Sequence, residues 1–211
     1  MLEMLAKFRN EGIIPVIKIL FICHGNICRS AAAEMVLRQM IGERHLSGIA
    51  VSSAAATREE IGNDVYPPMK KALAAAGYVC HPHAARQTTR DDYRKYDYII
   101  GMDDENMWDM KYLYGGDPDG KMSMLLDWAG MPGREIDDPW YTRDFTGVLR
   151  QIEDGCRGLL DRIAETGGKI GNESGTRGLH GSPVRAVRKA GRDRTGAARA
   201  DRPDYGPAAG I

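Results

Sequence analysis

Residues 23–30, Cys-His-Gly-Asn-Ile-Cys-Arg-Ser, constrain the fold of this chain more than any other segment. They follow the mainly apolar run 16–22, whose lack of polar alternation is typical of a central parallel strand covered on both faces. They lead into residues 30–41, where apolar side chains recur with helical spacing. A glycine-containing turn between a buried strand and a helix is common to doubly wound folds, so this segment predicts an α/β domain.

The same segment carries the residue types that bind and attack a phosphate group. Backbone N–H groups at the start of a helix lack partners and carry the positive end of the helix dipole, so several of them hold an oxyanion together. Arg29 adds a planar guanidinium that can contact two oxygens. The same field favours a thiolate, so Cys23 is expected to be ionised and nucleophilic. Cys23 alone would more often be a small core residue.

Strand and helix patterns alternate along the rest of the first 164 residues. Further strands are predicted at 49–53, 98–102 and 121–125, and further helices at 67–76, 104–114 and about 144–163, with a long loop at 126–141. Pro67 opens one helix and Gly77 closes it, as these residues commonly do. A β-α-β-α order with right-handed crossovers builds a parallel sheet with helices on both faces.

Several strings of residues resemble the low-molecular-weight protein tyrosine phosphatase family. Residues 23–30 are similar to the family's phosphate-binding signature, and residues 137–141, Asp-Asp-Pro-Trp-Tyr, are similar to its second signature, an Asp-Pro followed by two aromatics. Between them lie Ser53-Ala54, His-Ala-Ala-Arg-Gln at 83–87, and Tyr-Asp-Tyr-Ile-Ile-Gly-Met-Asp at 96–103 followed by Asn106. The resemblance covers roughly residues 16–164. It implies a four-stranded parallel sheet of order 2-1-3-4, with the phosphate-binding loop after the first strand.

The resemblance also implies hydrolysis of phosphotyrosine through a phosphocysteine intermediate, without metal or other cofactor. Cys23 is then the nucleophile, Arg29 clamps the phosphate, and Asp138 is the general acid that protonates the leaving phenolate and afterwards accepts a proton from water. Asp137 is a rival by adjacency. The family pattern places the acid directly before the proline, which favours Asp138.

The expected substrate-binding residues belong to the loop or to the pair of aromatics after Pro139. They are His24, Gly25, Asn26, Ile27, Cys28, Ser30, Trp140 and Tyr141. Asn26 is expected to hold a left-handed backbone conformation, and Ser30 either donates a hydrogen bond to the Cys23 sulfur or simply starts the helix. By resemblance, His83 bonds the loop asparagine and Asp103 lines the site. His83 could equally be an exposed loop residue, and Asp103 could instead cap the following helix.

The loop after the second strand departs from the family pattern. Family members commonly have an aromatic residue there, whereas this chain has Arg58-Glu59-Glu60 followed by Ile61. The wall beside the substrate ring is therefore expected to consist of Trp140 and Tyr141 alone, or partly of Ile61.

Three alternative functions use parts of this pattern. An arsenate reductase of the same fold needs further cysteines that receive a disulfide, and Cys80 and Cys156 are not arranged for this. A protein-arginine phosphatase has a threonine in place of Ile27 beside the leaving group, so Ile27 favours the tyrosine type. A non-enzymatic phosphate-binding module would have no reason to keep Asp138.

Composition predicts one domain at residues 16–166, an N-terminal extension at 1–15 and a basic tail at 167–211. The chain has 211 residues and is 43% hydrophobic, enough for one α/β core. The tail holds nine Lys or Arg against four Asp or Glu, and ten glycines, without apolar periodicity. It is expected to be disordered. Because it lacks interleaved aromatic residues, nucleic acid is not an expected partner.

The remaining predictions concern location and partners. No apolar run of about 18 residues and no signal-peptide pattern is present, which predicts a cytoplasmic chain without membrane contact. Four cysteines without repeating pairs do not indicate a secreted disulfide framework. Zinc is not expected either, because Cys23, His24 and Cys28 have no second Cys-x-x-Cys partner. The expected substrate is a phosphotyrosine-containing protein or a small aryl phosphate.

Overall fold

The computed structural model describes residues 16–167. The predicted N-terminal extension, and the predicted tail from residue 168 onward, lie outside the described residues. In chain order, the described elements are β1 (Ile17–Cys23), α1 (Arg29–Glu43), β2 (Ile49–Ala55), α2 (Pro67–Ala75), α3 (Arg90–Lys95), β3 (Tyr98–Gly101), α4 (Asp104–Tyr114), β4 (Met122–Met124), a 3₁₀ turn (Leu125–Asp127), α5 (Pro139–Thr142) and α6 (Phe145–Gly167).

The four strands form one parallel sheet in the order β2-β1-β3-β4, which confirms the predicted order 2-1-3-4. Cys23, the last residue of β1, pairs with Ala55, the last residue of β2. Phe21 pairs with Ile100 of β3. Because parallel strands end at the same edge, the segments that follow β1, β2 and β3 all start at this carboxyl edge.

Helices cover both faces of the sheet, which explains why residues 19–22 of β1 are all apolar. On one face, Ile19 and Phe21 pack into a core shared with α1 and α6. On the other face, Leu20 and Ile22 pack with Ile99 and with residues of α3 and α4. From Ile19 onward, successive side chains of β1 thus enter two different cores, whereas Lys18 near the start of the strand is exposed.

Two short helices differ from the sequence prediction. Helix α3 was not predicted because it has six residues and depends on a polar contact rather than on apolar spacing. The carboxylate of Asp92 accepts the N–H of Thr89 at 2.8 Å, which satisfies a donor at the helix start. Helix α5 and the 3₁₀ turn fall in the predicted loop 126–141, and a single turn is too short to show helical periodicity.

Two glycines let α6 lie directly against the segment after β4. A Cβ atom at Gly155 would lie 2.5 Å from Cγ of Leu125, and one at Gly158 would overlap the backbone carbonyl of Trp128. The segment that α6 holds in this way continues into the loop that carries Asp138.

None of the helices within residues 16–167 is long and apolar enough to cross a membrane.

We expect Gly158→Ala to lower the free energy of unfolding by about 1–3 kcal/mol, the usual range for overpacking, because the obstructing atom is backbone. Gly42→Ala in α1 is the matched control. Nothing lies within 4 Å of its added Cβ, so the gain in helix propensity should stabilise it by up to about 1 kcal/mol. Urea unfolding followed by circular dichroism measures both changes, and wild-type stability of Gly158→Ala would contradict the close approach.

Candidate active site

Residues 24–28 form a loop at the carboxyl edge of the sheet, between the end of β1 and the start of α1. Cys23 is the last residue of β1 and Arg29 the first of α1, so both flank this loop. Cys23 is only 3% exposed and lies at its base. Within the described residues, none of the backbone N–H groups of residues 24–28 donates a hydrogen bond to another protein group. Several donors are therefore available to one oxyanion.

The loop is shaped around Asn26, whose φ angle is +59° and whose side chain is completely buried. Its amide nitrogen donates to the hydroxyls of Ser30 at 3.0 Å and Ser53 at 2.8 Å. Its amide oxygen accepts the backbone N–H of Arg86 at 3.2 Å. Its backbone carbonyl accepts a hydrogen bond from Nε2 of His83 at 2.6 Å. Four contacts thus hold the residue in the left-handed region, which most side chains avoid.

The hydroxyl of Ser30 lies 3.0 Å from the Cys23 sulfur. Because this hydroxyl accepts from Asn26, its own proton can point either at the sulfur or at the carbonyl of Ala54, which is more distant at 3.5 Å. The shorter contact favours the sulfur.

Cys28 differs from Cys23 in its chemistry. Burial, and then the neighbouring Cys23, raise the pKa of the Cys28 thiol, so Cys28 is a neutral thiol beside Cys23.

Arg29 is buried among acidic groups. One guanidinium nitrogen donates to Asp103 at 2.5 Å and the other to Asp138 at 2.9 Å, and only 4% of the side chain is exposed. Burial on its own would lower the pKa of Arg29, but Cys23, Asp103 and Asp138 outweigh it and raise the pKa above its ordinary value. The guanidinium therefore stays charged at the base of the loop.

Asp103 fills both of the roles that the sequence left open. One carboxylate oxygen accepts the N–H of Asn106 at 2.7 Å and caps α4. The other oxygen contacts Arg29 at 2.5 Å. A residue expected to support the site is thus in direct contact with Arg29.

The two adjacent carboxylates after Ile136 point to different partners. Asp138 caps α5 by accepting the N–H of Trp140 at 2.9 Å, and its second oxygen contacts Arg29. Asp137 is exposed, and its carboxylate accepts a hydrogen bond from the amide of Gln151 on α6 at 2.6 Å. The structure therefore brings Asp138, and not Asp137, to the loop.

Aromatic residues lie beside the loop, and one of them was missed by the sequence analysis. The ring of Trp140 is half exposed and packs on Tyr66, with ring centroids 5.7 Å apart. Tyr66 also packs on Phe145 at 5.8 Å, and its backbone N–H donates to the carbonyl of Ile27. Tyr141 is 84% exposed. No local sequence signal marks Tyr66, because its contact with Trp140 depends on the packing of distant helices.

The segment after β2 lies against the other end of the loop. Nε2 of His24 contacts a carboxylate oxygen of Glu59 at 3.0 Å. A Cβ atom at Gly25 would lie 2.9 Å from Cγ of Glu60, so this position admits only glycine without a shift of Glu60. Ile61 is 55% exposed.

A partly buried ion pair between Arg86 and Asp92 supports the contacts of Asn26. The guanidinium of Arg86, whose backbone N–H reaches Asn26, donates to Asp92 at 2.9 Å. Burial would raise the pKa of Asp92, but the hydrogen bonds from Arg86, Thr88 and the Thr89 backbone outweigh it and hold the pKa below its usual value.

Among residues 16–167, no group of three or more His, Cys, Asp or Glu side chains is placed to hold a metal ion.

Comparison with known sequences identifies related proteins. A family model described as low molecular weight phosphotyrosine protein phosphatase matches residues 18–169. The low molecular weight protein-tyrosine-phosphatase YfkJ of Bacillus subtilis is 34% identical over 150 residues, which span 70% of this chain and 96% of the relative. The low molecular weight phosphotyrosine protein phosphatase of Gallus gallus is 34% identical over 149 residues, or 68% of this chain and 94% of the relative.

Comparison with solved structures gives the same picture. The crystal structure of YfkJ matches with a TM-score of 0.69 at 33% identity, covering 72% of this chain and 96% of that one. The crystal structure of DARP, a drosophila arginine phosphatase, matches with a TM-score of 0.63 at 25% identity, covering 70% and 98%.

The Asn26 contacts predict different effects for two substitutions. Asn26→Gly keeps access to the left-handed conformation but loses the side-chain hydrogen bonds, so it should weaken the binding of inorganic phosphate. Asn26→Ala also has to place an alanine at positive φ, which costs about another 1–2 kcal/mol of stability. Calorimetric titration with phosphate and urea unfolding measure the two effects. Wild-type phosphate affinity in Asn26→Gly would show that the side-chain network does not shape the loop.

The lowered pKa of Asp92 predicts a pH-dependent contribution to stability. The ionised carboxylate stabilises the fold above its unfolded pKa of about 3.9, and this contribution is lost as the pH falls through the lower folded value. Asp92→Asn should therefore destabilise the protein by about 1–3 kcal/mol at pH 7, with the difference from wild type shrinking below about pH 4. The adjacent, exposed Asp91→Asn is the control and should change stability by less than about 0.5 kcal/mol. Equal urea-unfolding curves for wild type and Asp92→Asn at pH 7 would contradict the prediction.

Proposed function

This chain belongs to the low-molecular-weight phosphotyrosine protein phosphatase family, and we propose that it hydrolyses phosphotyrosine and other aryl phosphate monoesters through a phosphocysteine on Cys23. The observation that supports this most strongly is the convergence of three groups from distant parts of the chain. The sulfur of Cys23 lies at the base of the loop, Arg29 flanks it, and Asp138 contacts Arg29 at 2.9 Å.

The first step is binding of the phosphate dianion. The N–H groups of residues 24–28 and the guanidinium of Arg29 hold the three peripheral oxygens, where charge is concentrated in the transition state. The phosphate oxygens compete with Asp138 for the same guanidinium nitrogen. Substrate binding therefore releases the carboxylate of Asp138 from Arg29 and frees it for its proposed role as the general acid. Asp103 keeps the other nitrogen and so holds the guanidinium plane in position.

The second step is transfer of the phosphoryl group to sulfur. The Cys23 thiolate forms an S–P bond while the bond between phosphorus and the phenolic oxygen breaks, and the proton of Asp138 goes to the leaving phenolate. The Ser30 hydroxyl, 3.0 Å from the sulfur, stabilises the thiolate before attack. In the third step Asp138 accepts a proton from water, and the resulting hydroxide displaces the sulfur and releases inorganic phosphate.

The structural arrangement of the cysteines argues against an arsenate reductase. Such an enzyme must move a disulfide from the nucleophile to further thiols. Cys156 is fully buried, and its S–H contacts the carbonyl of Ala33. Burial raises the pKa of the Cys156 thiol, which opposes the thiolate that disulfide exchange requires.

The arginine phosphatase type is the second candidate, because the DARP structure shares this fold. Ile27 follows Asn26 in the loop and is half-buried there. An apolar side chain at this position suits an aromatic leaving group better than a charged guanidinium, which would lose hydration without a hydrogen-bond partner. Ile27 thus supports phosphotyrosine as the substrate.

The chemistry of Cys23 and Arg29 also supports a cytoplasmic location and catalysis without a metal. A thiolate nucleophile works only while reduced, and all four cysteines are free thiols in the structure. This supports a cytoplasmic location, where thiols are kept reduced. Arg29 and the loop N–H groups supply the positive charge that a metal would otherwise provide, so EDTA should leave the rate unchanged.

The adjacent aspartates allow a matched test of the general acid. Asp138→Asn should slow aryl phosphates with poor leaving groups by about 10² to 10⁴, and activated esters such as p-nitrophenyl phosphate less. Asparagine can still cap α5, so the change removes the proton rather than the turn. Asp137→Asn should leave turnover within a few-fold of wild type because its partner is Gln151. A larger effect for Asp137→Asn would reverse the assignment, and undiminished turnover by Cys23→Ser would refute the covalent mechanism.

A further inference from the structure

The segment Thr57–Gly62, which we call the rim loop, is tied directly to the phosphate-binding loop. The backbone N–H and the hydroxyl of Thr57 both donate to the carbonyl of His24, at 3.1 and 3.2 Å. The preceding residue, Ala56, donates to the carbonyl of Cys23 at 2.9 Å. The rim loop therefore continues the ladder of β1 and β2 past the nucleophile and forms one side of the site entrance.

The two glutamates of the rim loop contact the phosphate-binding loop in different ways. Glu59 accepts a hydrogen bond from His24, the residue next to the nucleophile, and 68% of its side chain remains exposed. Because a carboxylate only accepts, this contact places the histidine proton on Nε2. The methylene stem of Glu60 packs on Gly25, and its carboxylate accepts from the amide of Asn63 at 2.6 Å.

The cation of the same segment is directed elsewhere. Nε of Arg58 donates to the side chain of Gln87 at 2.8 Å, and Gln87 bridges to Ala55 at the end of β2. Among the described residues, no Lys or Arg forms an ion pair with Glu59 or Glu60. Within residues 16–167, His24 is the one side chain that contacts the carboxylate of Glu59. The rest of the Glu59 side chain is exposed to solvent at the site entrance.

From these contacts we infer that Glu59 is a specificity-determining residue that selects substrates with a Lys or Arg next to the phosphotyrosine. The inference rests on the proposed phosphatase function. When the phosphate is held by residues 24–29, the residues that flank a phosphotyrosine in a peptide lie over the rim of the site. An exposed carboxylate there attracts a cationic neighbour and repels an acidic one.

The expected size of this selection is modest. Charges that remain partly solvated at a rim change affinity by roughly 2- to 5-fold each. The effect should be mainly in KM, because Glu59 does not contact the reacting atoms. It should also weaken in salt, since exposed charges are screened over about 8–10 Å at physiological ionic strength.

The test uses three phosphotyrosine peptides that differ only in the two residues flanking the phosphotyrosine, which are Lys, Gln or Glu. Wild type should show kcat/KM in the order Lys, Gln, Glu, with roughly 2- to 5-fold between steps at low salt. Glu59→Gln should bring the three values closer together, and Glu59→Lys should reverse their order. Half-molar sodium chloride should compress the wild-type series.

Asp161→Asn is the matched control, because it also removes one negative charge from an exposed ion pair. Asp161 pairs with Arg44, which directly follows α1 at the end opposite the phosphate-binding loop. The peptide order should be unchanged in this variant. An order that is the same in wild type and Glu59→Gln, or that Asp161→Asn alters as much as Glu59→Gln does, would overturn the inference. Failure of wild type to hydrolyse even p-nitrophenyl phosphate would instead refute the proposed function.

Discussion

The charged contacts of one buried guanidinium connect the three segments that make the site. Arg29 begins α1, Asp103 directly precedes α4, and Asp138 directly precedes α5, yet both carboxylates lie within hydrogen-bond distance of the guanidinium. A buried cation is costly unless opposite charges surround it, and Asp103 and Asp138 supply such charges to Arg29. Each carboxylate also caps the helix that it precedes, which means that the start of α4 and of α5 is fixed by the same contacts that orient Arg29.

A second set of contacts gives the loop its curvature independently of charge. Asn26 uses its amide nitrogen, amide oxygen and backbone carbonyl to join the loop to α1, β2 and the segment 83–86. The bonds to the two serine hydroxyls are buried and the other two are partly buried, so breaking one of them would leave a polar group of the fully buried Asn26 without a partner. The loop N–H groups can therefore stay pointed away from protein partners, although donors of this kind would otherwise turn towards the nearest carbonyl. Because these contacts hold the loop in one conformation, its N–H groups are already arranged to bind an anion before substrate arrives.

The sequence allowed most of the fold to be predicted, and the reasons differ from one residue to another. The sheet order could be predicted because distant strings resemble one family, and the central position of β1 because its residues 19–22 are all apolar. Local contacts were harder to foresee. Nothing in the sequence places Tyr66 on Trp140, since Tyr66 precedes α2 and Trp140 lies in α5, far along the chain. Likewise, the departure at residues 58–60 was visible in the sequence, but the pairing of Glu59 with His24 and of Arg58 with Gln87 depends on the three-dimensional course of the rim loop.

The charges at the site imply an order of events. Arg29 contributes one positive charge, whereas a phosphate dianion, the Cys23 thiolate and Asp103 together bring four negative ones. The start of α1 adds only about half a positive charge, spread over its first N–H groups. A bound dianion therefore competes with Asp138 for Arg29, because both need the same guanidinium nitrogen. The carboxylate that contacts Arg29 before substrate binds is thereby freed to serve as the proposed acid for the leaving phenolate, and departure of the phosphate allows it to return to Arg29.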